Sequence, residues 1–141
     1  MIPDPIMLSG GQALKAKIKN HKKRSAYASF PFVYPSWNDI QGMHWAPRKR
    51  KHDQFQAEAC AILKGLHIEP FNVPVKILID LYFRKKRNRD NDNYGGKWLI
   101  DAIRMVGIIP DDSTEWIPRS PDVLIINGAK EDQTILEIVE V

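Results

Sequence analysis

Apolar residues along this chain recur at two kinds of spacing. Val75, Ile77, Ile79, Leu81 and Phe83 alternate with Lys76, Asp80 and Arg84, the period of two that places one set of side chains on one face of a strand. Ala26 to Val33 is an aromatic and apolar run that reads as an earlier strand, ended by Pro35-Ser36-Trp37-Asn38. Val123 to Ile126 and Thr134 to Val141 read as two last strands, a C-terminal hairpin through a loop containing Asn127-Gly128. Two other stretches repeat at helical spacing. Phe55, Ala59, Ile62, Leu63 and Leu66 form one apolar face, with Asp53 as cap, Gln56 as its reciprocal partner and Gly65 near the end. Trp98, Leu99, Ala102, Ile103 and Val106 form another, in a helix from about Tyr94 to Val106 that Gly107 ends. Residues 35–52 read as a long basic loop carrying Trp37, His44 and Trp45. The order strand, helix, strand, helix, strands predicts an α/β fold: a small mixed β-sheet with helices packed on it.

Composition narrows this only a little. A chain of 141 residues suits one domain. There is no apolar run long enough to span a membrane, and lysines from Lys15 onward interrupt any signal-peptide core. Cys60 is the single cysteine, so an internal disulfide is excluded; it lies on the apolar side of a helix as an inert thiol. With His21, His44, His52 and His67 at their spacings it makes no zinc site. A cytoplasmic protein with no membrane partner is expected.

Charge says more through its distribution than through its sum of +4. Lys15, Lys17, Lys19, Lys22, Lys23 and Arg24 crowd a loosely ordered basic N-terminal arm, residues 1–25, with a helical stretch near Ala13 to Lys19. Arg48, Lys49, Arg50 and Lys51 form a second run, and Arg84, Lys85, Lys86, Arg87 and Arg89 a third. Such runs neutralise phosphates and suit a nucleic-acid partner, the plainer alternative being a solvated basic surface.

The candidate chemistry begins where the clearest strand ends. Arg89-Asp90-Asn91-Asp92-Asn93 follows it, and Asp111-Asp112 comes after the second helix. On an extended segment residues two apart share a side, so Asp90 and Asp92 are expected to project together. Two close carboxylates repel, and a divalent cation relieves the repulsion. A strand, helix and loop return of this length can bring Asp111 and Asp112 back beside them. Acids that hold metal beside bases that hold backbone are the donor set of a phosphodiesterase. The plain alternative is a solvated Asp-x-Asp turn. A calcium loop fits less well. Asp90, Asp92, Gly95 and Asp101 fall at its positions one, three, six and twelve, but position five is Tyr94, position twelve is not Glu, and a strand precedes it.

From Val73 to Ser113 the chain resembles the core of the RusA family of Holliday-junction resolvases. The matching pieces are the strand Val75 to Phe83, the basic run, Arg89-Asp90-Asn91-Asp92-Asn93, a lysine four residues before Asp101-Ala102, and Gly107-Ile108-Ile109-Pro110-Asp111-Asp112-Ser113. Weaker similarity reaches upstream to Pro35-Ser36-Trp37-Asn38 and downstream to the C-terminal hairpin, so it covers roughly three quarters of the chain. One departure stands out. Tyr94-Gly95-Gly96 makes the spacing to Lys97 one residue longer than the family pattern. One extra helical residue rotates every later side chain by about 100°. Lys97 keeps its place only if Gly95-Gly96 absorb the insertion as a non-helical turn.

The resemblance implies a RusA-like nuclease domain over residues 26–141 that nicks Holliday junctions to resolve recombination intermediates. It implies Mg²⁺, with Mn²⁺ as a substitute, held by Asp90, Asp92 and Asp112 with Asp111 as an accessory acid. It makes Asp90, Asp92, Asp112 and Lys97 the catalytic residues, Lys97 stabilising transition-state charge. Arg48, Lys49, Arg50, Lys51, Arg84, Lys85, Lys86, Arg87 and Arg89 are the expected DNA contacts. It also implies a homodimer on a four-way junction and products with a 5′-phosphate and a 3′-hydroxyl. Trp37, His44 and Trp45 are expected to pack in the loop or core, with stacking at the branch point as the alternative. Two rival functions remain: a non-catalytic branched-DNA-binding module, and a nuclease acting on flaps, forks or single-stranded DNA. The plain alternative for Lys97 is a surface ion pair with Asp101.

Overall fold

The computed structural model describes residues 23–141; most of the basic arm and its expected helix lie outside the described residues. Four strands, β1 (Ser25–Phe30), β2 (Val75–Phe83), β3 (Asp122–Asn127) and β4 (Gln133–Glu140), form one mixed sheet in the order β1-β4-β2-β3. Three helices accompany them: α1 (Trp37–Gln41), α2 (Trp45–Gly65) and α3 (Lys97–Met105). This is the α/β arrangement that the alternation of spacings predicts.

The sheet is organised around β2. Its odd-numbered residues Val75, Ile77, Ile79, Leu81 and Phe83 are buried on one face. Each such side chain is worth about 2 kcal/mol of transfer from water. Register places Ile138, Leu136 and Thr134 of β4 beside Ile77, Ile79 and Leu81, and Val123 and Ile125 of β3 beside Ile79 and Leu81. Phe55, Ala59 and Leu63 of α2 and Leu99, Ala102 and Ile103 of α3 join the same buried cluster. The other face is half-exposed and held by cross-strand pairs: Lys76 to Asp122 (3.1 Å) and Tyr27 to Glu137 (2.8 Å). Leu124 lies on it with 57% of its surface exposed.

Five expectations are corrected. The C-terminal hairpin does not form: β3 runs parallel to β2 on one edge, and β4 runs antiparallel to it on the other. β2 has the longest alternating run, so both of its edges are worth pairing. The intervening loop caps the end of β2: Ala129 N donates to Phe83 O, and Arg84 N to Asp132 Oδ1, each at 2.9 Å. A parallel pair requires a crossover of a dozen or more residues, and residues 84–121 supply it; nearly all the candidate chemistry lies in that crossover.

Residues 35–52 are not a loop. α1 is capped by Ser36, whose Oγ accepts from Asp39 N, and α2 starts at Trp45 under His44, whose Nδ1 accepts from Ala46 N. Pro47 falls in the first turn of α2, where a missing N–H costs nothing. Asp53 therefore sits inside the helix and pairs with Lys49 at 2.7 Å instead of capping. The charged stretch before Phe55 masks the helical period because its apolar stripe is interrupted. Leu66, expected on the apolar face, is the exposed residue that ends α2. The last correction is that α3 starts at Lys97 rather than Tyr94.

Candidate functional site

Asp90 and Asp92 do not extend from β2 as alternate residues of a strand. Asn91–Asn93 is a turn of 3-10 helix with Asp90 as its cap, and the Asp90 carboxylate accepts from Asp92 N at 3.1 Å. Asp and Asn side chains bond to backbone two residues on and so compete with extended structure. The asparagines fasten this turn: Asn91 Nδ2 donates to Val123 O of β3 (2.6 Å), and Asn93 Oδ1 accepts from Asn38 N of α1 (2.9 Å). The aspartates are left exposed, and they open on different hollows. Asp90 lines a shallow one with Asn88, Arg89 and Asn91. Asp92 lines another, of about 200 Å³, with Tyr34, Trp37, Lys97 and Trp98.

The glycine pair forms a non-helical turn ahead of α3. Gly95 and Gly96 are outside the helix, and Gly96 caps α3 at φ +85°. A Cβ there would lie 2.7 Å from Ile79 Cδ1, so glycine is required twice over, by backbone and by space. The turn is braced by Tyr34, whose buried hydroxyl donates to Tyr94 O at 2.9 Å. Lys97 thereby opens α3 in a defined orientation. Its Nζ donates to Asp101 Oδ1 (3.0 Å) and to Asp112 Oδ2 (3.1 Å).

Asp112 reaches Lys97 because the return loop is anchored. Gly107 reverses the chain at φ +82°, Ile108 and Ile109 are buried in the core, and Phe71 N donates to Ile108 O at 2.8 Å. Asp111 is exposed beside Asp112. Lys97 holds the Asp112 carboxyl below its usual range, and Asp101 and then Asp112 hold the Lys97 ammonium above its own. Asp101 is the more sheltered partner, 15% exposed, and its second oxygen lies 3.5 Å from His52 Nε2 of α2. His52 stands edge-on to Trp98. The sequence carried no signal for His52: its place is set by the packing of α2 on α3.

The structure therefore joins Lys97, Asp101 and Asp112 and puts Asp92 on the hollow Lys97 lines, while Asp90 faces elsewhere. Among the described residues no three acidic, His or Cys side chains are grouped to hold a metal ion. In kind, the carboxylates fit magnesium, a hard cation that takes oxygen donors. In position, a cation at Asp112 competes with Lys97, and one at Asp90 competes with the amide of Asp92.

The basic residues divide into two groups. Arg84, Lys85, Lys86 and Arg87 are exposed on the loop after β2. Arg89 is engaged within the fold: its guanidinium stacks on Phe83 at 3.8 Å and donates to Lys85 O and to Asn127 Oδ1. Arg48, Lys49, Arg50 and Lys51 lie on the first turns of α2. Near them Trp37 and Trp45 are 52% and 71% exposed, so of the expected core or loop packing the core is ruled out for both. The cause is local: α1 buries Ile40, and α2 first reaches the core at Phe55. Arg24, placed in the arm from sequence, lies over the Phe71 ring at 3.8 Å and donates to Glu69 O. Among the described residues no helix is long and apolar enough to cross a membrane. The sequence matches no protein-family model and no curated protein.

Proposed function

We propose that this protein is a magnesium-dependent endonuclease of the RusA type, nicking four-way DNA junctions. One observation carries the reading. Lys97, fixed to Asp101 and Asp112, shares a hollow with Asp92 and Trp37, and Arg48 stands over that same Trp37 ring at 5.8 Å. Acids, a positioned ammonium, an aromatic and a cation thus meet at one lip. That combination suits a phosphodiester on a distorted backbone better than it suits a neutral substrate.

Asp90, Asp92 and Asp112, with Asp111 accessory, are the residues that would hold Mg²⁺ or Mn²⁺. When bound, the metal polarises the phosphate and lowers the pKa of water. Lys97 stays protonated at neutral pH, held so by Asp101 and Asp112, and supplies fixed positive charge where negative charge builds on the phosphate. The exposed cations of the loop after β2 and of α2 hold the DNA arms. Two opposed nicks call for two sites, which a symmetric homodimer provides. The half-exposed outer face of the sheet around Leu124 supports a place for the second copy.

A second reading has its own observation. Asp90 and Asp92 open on different hollows, which favours a module that binds branched DNA without cutting. A labelled four-way junction, a flap and a matched linear duplex, each incubated with Mg²⁺ and with EDTA, separate the readings. Paired metal-dependent nicks in the junction are expected. Cutting of the flap alone points to a different branched substrate, and binding without cutting establishes the module.

A further inference from the structure

We infer that Trp37 and Trp45 form a stacking platform for unpaired DNA bases, independent of the metal and of cutting. It rests on the proposed nuclease function only for taking DNA as the nucleic acid. Both indoles are more than half exposed, Trp37 at the start of α1 and Trp45 at the start of α2. An exposed indole forfeits a large apolar burial and leaves a face that an aromatic partner can cover, and Arg48 lies beside both of these.

The surrounding charge names the partner. The Arg48 guanidinium stands over the Trp37 ring. Trp45, Arg48 and Lys49 line one hollow together. Arg50 and Lys51 follow on the same turns of α2, and there is no acid in its first turn. Lys49 is paired with Asp53, but an apolar protein surface would leave Arg48, Arg50 and Lys51 uncompensated, whereas a nucleic-acid strand supplies base faces to the indoles and phosphates to the cations. The strand must be unpaired. In a duplex both faces of each base are already stacked on neighbours, so a protruding indole finds a free face only where pairing is broken.

The two hollows give the platform its place. Trp98 lines both the one shared by Trp45, Arg48 and Lys49 and the one shared by Trp37, Asp92 and Lys97. A base stacked on Trp37 would therefore hold its backbone next to Lys97, and one stacked on Trp45 would lie in the hollow across Trp98 from it. The free base faces found at a branch are then what such a platform selects over a duplex.

The test is anisotropy of fluorescein-labelled oligo(dT) and of a fully paired blunt-ended duplex of equal strand length, in EDTA, with wild type and with Trp45→Ala, Trp37→Ala and Trp45→Phe. Each Trp→Ala change is expected to weaken oligo(dT) binding about tenfold, with duplex affinity within about twofold. Trp45→Phe is expected to restore most of the loss, and unchanged melting temperatures show that each variant is folded. Unchanged oligo(dT) affinity, or equal loss on both DNAs, overturns the platform. Because EDTA prevents cutting, a protein that passes this test yet never nicks a junction loses only the nuclease reading. One that nicks but shows no tryptophan effect loses only the platform.

Discussion

At the scale of single residues, Lys97 and Asp112 are the pair on which the candidate chemistry turns. Each shifts the other away from its ordinary pKa, Lys97 upward and Asp112 downward. The signs set the window. A depressed carboxyl contributes above its unfolded pKa of about 4 and is lost as pH falls through the folded value; a raised ammonium contributes below about 10.4 and is lost as pH rises through its own. The pair is thus intact across neutral pH and opens on the acid side when Asp112 is protonated. Lys97→Met is expected to raise the Asp112 pKa toward the ordinary value, read by carboxyl NMR titration, with no cutting assay needed; an unmoved titration would show that the two groups do not meet in solution. Asp90→Asn, Asp92→Asn and Asp112→Asn are each expected to lower junction cutting by at least about a hundredfold while leaving junction binding largely intact. Cutting retained in two of the three removes the assignment.

At the scale of elements, the crossover between β2 and β3 is where function and stability meet. Gly96 joins the two: its φ of +85° and its closeness to Ile79 place the start of α3 directly on the core strand. Gly96→Ala is expected to destabilise the protein by about 1–3 kcal/mol, measured by urea unfolding, and to disturb Lys97 because that residue follows immediately. Gly95→Ala is the control, since nothing lies near a Cβ there and its φ is not positive; it should cost less than about 1 kcal/mol. Equal losses would mean that the turn is not fixed by Gly96.

At the scale of the whole molecule, charge and symmetry decide how DNA is held. Removing residues 1–22 takes away Lys15, Lys17, Lys19 and Lys22. This truncation is expected to weaken junction binding and flatten the dependence of log K on log salt by about one unit for each phosphate that the arm neutralises. An unchanged slope means that the arm does not touch DNA. If two copies meet through the outer face of the sheet, Leu124→Glu should halve the mass seen by light scattering without lowering the melting temperature, because Leu124 is 57% exposed. A monomeric wild type would remove the symmetric arrangement.

Much of this was legible in the residues themselves. The alternation from Val75 to Phe83 specified a central strand to the residue, because a period of two has one meaning when five apolar positions obey it. The helical spacing from Trp98 to Val106 specified α3 but not its start, which was read at Tyr94 and falls at Lys97 because Gly96 takes a positive φ. What the sequence could not determine were pairings between distant segments. β3 and β4 are joined by a short loop and would ordinarily form a hairpin; they flank β2 because burial of Val123 and Ile125 beside Ile79 and Leu81 favours a parallel edge. The exposure of Trp37 and Trp45 was equally hidden, since composition cannot tell an indole that finds the core from one that does not. The local turn at Asp90 overrode strand alternation because a side-chain cap competes with extended backbone. Periodicity and glycine chemistry are local and act through nearest neighbours, so the sequence determined them. Strand partners, the reach of Asp112 to Lys97 and the setting of His52 against Asp101 depend on how buried surface is shared across the whole chain, and only the tertiary structure decided them.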